Sequence, residues 1–191
     1  MENNYSLMEE VLKSVQMAEK YMLHSDWRVR YAAAVAMGED GDEKWLPCLY
    51  RMLQEEEKLP LYSQPAVERF EGSPDDTRMA ERLLPIKEVF DKDYPEELKE
   101  IWKCRGRVRH ACLFAIYDIG RMTPQLLELL HTFLIRPGED YSVCAAAARV
   151  LAKSGHSGSI PYLEQAGKID EWCVQTESRK AIKQIRAREE K

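Results

Sequence analysis

The sequence predicts an all-α fold, an α–α superhelix of about four to five stacked helical hairpins. Three observations lead there. A phrase recurs in fixed register: Val29 stands twelve residues before Gly41, Val108 twelve before Gly120, and Val143 twelve before Gly155. Leu46-Pro47 returns as Ile160-Pro161 at a shift of 114 residues. Each copy also carries the same apolar stripe, spaced i, i+3, i+4, i+7, i+8, the mark of a helix packed on one side. Self-similarity with a period of roughly 35–40 residues belongs to stacked helical units, which cannot bury their apolar faces alone.

The elements follow in order. Residues Ser6 to Leu23 are expected to form one helix with Leu7, Val11, Val15, Ala18 and Met22 along a stripe, capping the stack. Ser25 or Asp26 then supplies an N-cap. The first repeat helix buries Val29, Ala32, Ala33, Ala36 and Met37. Its alanines let neighbouring helices approach closely, and Gly38 and Gly41 are expected to permit the turn. Asp42 caps a second helix, with Pro47 in the first turn, where a missing N–H costs least. Leu46, Leu49, Tyr50 and Leu53 continue the stripe.

The second repeat places Val108, Ala111, Cys112, Ala115 and Ile116 on one face, then Leu126, Leu127, Leu130, Phe133 and Leu134 beyond Gly120. The third places Val143, Ala146, Ala147, Val150 and Leu151 before Gly155, then Ile160 and Leu163. A closing helix from Trp172 to Arg188 aligns Val174, Ser178, Ala181, Ile182 and Ile185, with Lys180, Lys183 and Glu177 opposite, as a terminal cap requires.

The regularity fails between Glu55 and Lys103. Prolines 60, 65, 74, 85 and 95 break that stretch, Gly72 to Asp76 reads as a loop, and Leu84-Pro85 echoes Leu46-Pro47. Helices are expected over 78–90 and 95–102. The reading is one solenoid domain over 1–191, with an irregular, acidic, proline-rich insertion or degenerate repeat at about 55–103.

The run from Val29-Arg30 to Leu53 resembles a HEAT repeat of the short type found in phycobilisome-lyase-like proteins. The match is closest in repeat one. In repeat three Cys144 stands where the arginine of the Val-Arg pair is expected, so the ladder of arginines is incomplete. The resemblance covers about two-thirds of the chain and implies a short right-handed HEAT-like solenoid. Such folds host scaffolds, adaptors, lyases and some enzymes, so the resemblance fixes no activity.

Composition narrows the function. The chain has 191 residues, 45% hydrophobic and 32% charged, a globular balance. No apolar run reaches the roughly 18 residues of a membrane span, and Met1-Glu2-Asn3-Asn4 is no secretory start. Five cysteines, an odd number at irregular spacing, point to reduced thiols and a cytoplasmic protein. The short chain without tails is compatible with a prokaryotic origin. The net charge is −5, but residues 55–103 hold 14 acidic against 8 basic side chains, so the rest is near neutral. A nucleic-acid binder needs a broad basic surface, which makes that partner unlikely on composition alone.

No chemical motif stands out. Cys104, His110 and Cys112 match no metal-ligand spacing, the four histidines are followed by no glutamate, and neither GxSxG nor a phosphate loop is present. No catalytic residue, metal or cofactor is therefore assigned. Lys103 to Arg109 holds four cations in seven residues at a helix start. Those cations can hold an anion, or Arg105 and Arg107 can simply neutralise the acidic stretch before them. Trp27 and Trp172 open helices, where tryptophan can anchor a partner, although packing is the plainer use of each.

The leading expectation is a non-catalytic scaffold that binds a protein or peptide partner on a concave face lined by second helices. Arg51, Glu55, Glu128, His131 and Gln165 are the candidate contacts there, with Arg105 and Arg107 beside them. Two alternatives rest on the resemblance: a lyase or chaperone for a partner-bound chromophore, and a HEAT-like DNA-repair glycosylase.

Overall fold

Nine α-helices account for the structured part of the described residues, with no strand among them. The structure is a computed structural model and describes residues 4–58, 106–137 and 139–190. These fall in one packing unit built from the chain on both sides of 61–105. Most of the acidic insertion lies outside the described residues, as do the helices expected over 78–90 and 95–102. Its first residues are described and belong to the first repeat. No helix among the described residues is long and apolar enough to cross a membrane.

The N-terminal stretch is two helices, α1 (Tyr5–Lys13) and α2 (Val15–Tyr21), rather than the single one expected. Ser14 breaks it by adopting an extended backbone, φ −147° and ψ 112°, and its Oγ accepts the Met17 amide. A serine hydroxyl competes with the helix ladder in this way. Val11, Ala18 and Met22 are still buried, while Leu7 and Val15 are partly covered.

Three helix pairs follow: α3 (Trp27–Asp40) with α4 (Leu46–Glu57), α5 (Arg107–Ile119) with α6 (Pro124–Ile135), and α7 (Tyr141–Ser154) with α8 (Ile160–Ala166). α9 (Trp172–Glu189) closes the series. First helices stack on one another, α3 on α5, α5 on α7 and α7 on α9. Each second helix packs against the next first helix, α4 on α5, α6 on α7 and α8 on α9. Every residue of the three predicted first-helix stripes is buried, and the spine also takes in Ala34, Leu113 and Ala148. Tyr50, Leu127 and Ile182 are only partly covered.

The caps explain the boundaries. Asp26 Oδ1 accepts the Arg28 amide and Asp140 Oδ1 the Ser142 amide, both at 2.9 Å. Thr123 Oγ1 accepts the Leu126 amide, and Pro124 fills the first position of α6. Asp42 caps not α4 but a single 3₁₀ turn, Glu43–Trp45, that leads into it. The same turn recurs at Ser157–Ser159 ahead of α8. Gly41 and Gly120 take the left-handed conformation, φ 70° and 71°. Gly155, at the matching position, does not: a Cβ there would lie 2.6 Å from the Leu151 carbonyl oxygen.

Gly38 is not a turn residue, contrary to expectation. It is buried inside α3, and a Cβ on it would lie 2.8 Å from Ala115 Cα on α5. Glu177 also departs from its predicted place on an open polar face: it is largely covered and pairs with Lys180 (2.8 Å) and Arg149 (3.5 Å).

Gly38→Ala should test the contact between α3 and α5. Helix propensity alone would stabilise the variant by about 1 kcal/mol. Overpacking against a backbone atom should outweigh that gain, for a net loss of about 1–2 kcal/mol and a fall in Tm of roughly 2–8 °C. A higher Tm in thermal unfolding would show that the two helices separate at little cost.

Candidate functional site

Polar side chains tie the ends of the stacked helices together before any of them can serve a site. Arg30, on the first turn of α3, reaches Glu56 Oε1 at 2.5 Å and donates to the His24 and Ser25 carbonyls. Arg109 holds the same repeat position on α5 and pairs with Glu139 at 2.8 Å, both side chains being almost fully buried. Glu139 also meets Arg136 at 3.5 Å, and Arg136 in turn contacts Glu57. At the third equivalent position the Cys144 thiol donates instead to the Phe133 carbonyl, 3.3 Å away. Burial, reinforced by the nearby Glu139 charge, pushes that thiol up to about 12. Burial likewise pushes the Cys112 thiol up. These two thiols are packing groups rather than nucleophiles.

The second-helix residues singled out from sequence meet different fates. Arg51 on α4, Glu128 on α6 and Gln165 on α8 are exposed. Glu55 is half-covered and pairs with Lys58 at 2.7 Å. His131 is drawn into the contact between α6 and α8. Its ring stacks on Tyr162, centroids 4.0 Å apart and planes 7° from parallel, and its Nε2 shares a hydrogen bond with Ser159 Oγ at 2.9 Å. Ser159 is fully buried, so this Ser–His pair has no access to a substrate. Arg105 lies outside the described residues.

Arg107 takes part in a cluster that the sequence reading did not assemble. It sits exposed at the start of α5, with its guanidinium 5.5 Å from the centre of the Trp27 ring. Arg28 lies near the same ring, at 5.4 Å, and 5.9 Å from the ring of Tyr5. Together with Met8, Tyr31, His110 and Ser142 these residues line a cavity of about 530 Å³. That size lies within the usual range for ligand and anchor pockets. Tyr5 and Tyr31 are 58% and 39% exposed.

The repeat builds this groove. Arg28, Arg107 and Ser142 are one repeat position in three successive first helices, just ahead of the buried valine. Trp27 and Tyr31 are four residues apart, and Arg107 and His110 three, so each pair shares a helix face. That spacing was the available signal, and the stripe on the opposite face masked it. His110 is half-buried, with its ring 4.6 Å from that of Phe114. Burial holds its imidazole below the ordinary value; Arg149 adds to this and Asp140 opposes it. No group of metal-ligating side chains occurs among the described residues.

The chain was compared with protein-family models and with curated proteins, and it matches none of them.

The His131 stack gives a pH dependence. Burial holds this imidazole below its ordinary value of 6.5, and His156 adds to the effect. The unfolded chain therefore takes up the proton first as pH falls. The contribution of His131 to stability is full about one pH unit above the ordinary value and is lost progressively as pH falls through it. His131→Gln should flatten part of the decline between about pH 7.5 and 5 in urea unfolding. An equally steep decline in the variant would remove His131 as its source.

Proposed function

We propose that this chain is a non-catalytic interaction module that binds a protein or peptide partner in the groove at the starts of its first helices. The observation that supports this reading is the gathering of Tyr5, Trp27, Arg28, Tyr31 and Arg107 around one cavity on helix-borne positions. Tryptophan, tyrosine and arginine dominate the energetics of protein interfaces, because they combine large contact area with directed polar groups. Helices held by a close-packed spine present them with little ordering cost on binding. The second-helix positions Arg51, Glu128 and Gln165 are exposed polar side chains that do not line this cavity and serve as the comparison. A cytoplasmic setting accords with buried, unoxidised thiols at Cys112 and Cys144.

The test is affinity capture from native extract, followed by calorimetry with the recovered partner. Tyr31→Ala combined with Arg107→Ala should weaken binding by about thirtyfold or more, as hot-spot truncations do, with an unchanged Tm. Arg51→Ala combined with Glu128→Ala should bind as the parent does. Loss only in the second pair would move the site to the second helices. Equal binding by both pairs, or no specific partner, would reject the proposal.

A further inference from the structure

We infer that the groove selects an acidic peptide segment, whose carboxylates engage Arg107 while an adjoining side chain lies against Tyr31. This deepens the interaction-module reading and rests on it. The argument is one of charge. The groove's neighbouring carboxylates are already used within the chain. Asp26 accepts from the Arg28 amide, the Arg28 guanidinium and Asn4 Nδ2. Asp140 accepts from the amide and hydroxyl of Ser142. Arg107 has no carboxylate partner among the described residues; its guanidinium is held over the Trp27 ring. A planar cation fixed on an aromatic face keeps its outward N–H groups free for paired hydrogen bonds to a carboxylate. The α5 start behind it is capped by Gly106, against which the Asp140 side chain already lies, so it is Arg107 rather than the helix end that offers the groove a cation for an incoming carboxylate. Tyr31 supplies an exposed ring beside it.

The experiment is fluorescence anisotropy on the full chain with three labelled decapeptide pools. All three share Leu, Tyr and Gly, and they carry in addition Asp/Glu, Asn/Gln or Lys/Arg. The acidic pool should bind about tenfold more tightly than the amide pool at low salt, the scale of one charge-assisted pair. Arg107→Ala should remove that preference, Arg107→Lys should keep part of it, and Arg107→Glu should turn it toward the basic pool. Equal affinity for the acidic and amide pools overturns this inference while the module reading stands, because peptides still bind. Binding of no pool overturns both. A labelled ten-nucleotide DNA that binds more tightly than the acidic pool assigns the groove to a phosphate backbone instead and also overturns the inference.

Discussion

The close approach of α3 and α5 is the constraint on which the rest of this structure depends. Gly38 and Ala115 bring one helix against the backbone of the other, and no larger residue pair fits that space. The contact is selective because close-packed interiors cannot absorb an extra methyl group without moving neighbours. With that distance set, the alanines at 32, 33 and 36 and their counterparts at 111, 115, 146 and 147 continue the same spine. The spine sets the register of the first helices, and register decides which helix ends meet. Lys153 on α7 donates to the Tyr117 carbonyl at the end of α5 (2.6 Å), and Arg188 on α9 contacts the Ala152 and Gly155 carbonyls at the end of α7. A cation from one first helix thus caps the C-terminus of the one before, where both the dipole and unpaired carbonyls favour it.

The other ends of these helices are joined differently. The buried Arg109–Glu139 pair has to offset the desolvation of two charges, so it is a poor source of net stability. Its value is in specificity: an arginine there fits only if a carboxylate is delivered by the segment after α6. Arg30 solves the same geometric problem nearer the surface with Glu56 and two backbone carbonyls. Cys144 solves it with no charge at all. The interruption of the arginine ladder, visible in sequence, is therefore a local change of partner at one repeat position. The backbone of α7 keeps the register of α3 and α5.

Much of this could be read from the chain itself. Apolar spacing placed the first helices and their buried stripes, because burial on one face leaves a periodic trace in residue type. The break at Ser14 left none, since the stripe runs through it and only a side-chain hydrogen bond marks it. Gly38 was read as a turn because glycine has two uses, and sequence shows only that a side chain is missing. Whether that absence serves a positive φ, as at Gly41, or a neighbouring helix depends on what packs there. The engagement of His131 by Tyr162 and Ser159 follows from contact between consecutive second helices, a tertiary fact. The groove was hidden for a related reason: Trp27 and Arg107 were singled out separately, and only the packing of α1, α3 and α5 brings them together with Tyr5, Arg28 and Tyr31.

Repetition itself explains where such a groove can arise. In each first helix, the positions facing the spine are held to small or branched apolar residues by packing. The positions at the helix start are held only by the need to cap and solvate it, so they can diverge between repeats without disturbing the stack. Trp27, Gly106 and Tyr141 occupy one such position, Arg28, Arg107 and Ser142 the next, and Tyr31, His110 and Ala145 a third. Of these side chains, the two rings and the arginine of α3 and the arginine and imidazole of α5 line the cavity, and α7 adds the Ser142 hydroxyl. Glycine at 106 also admits the Asp140 side chain against the start of α5, which no larger residue there would allow. Units that share one apolar stripe thereby acquire one chemically distinct end, with its aromatic and cationic side chains placed on positions the core does not need.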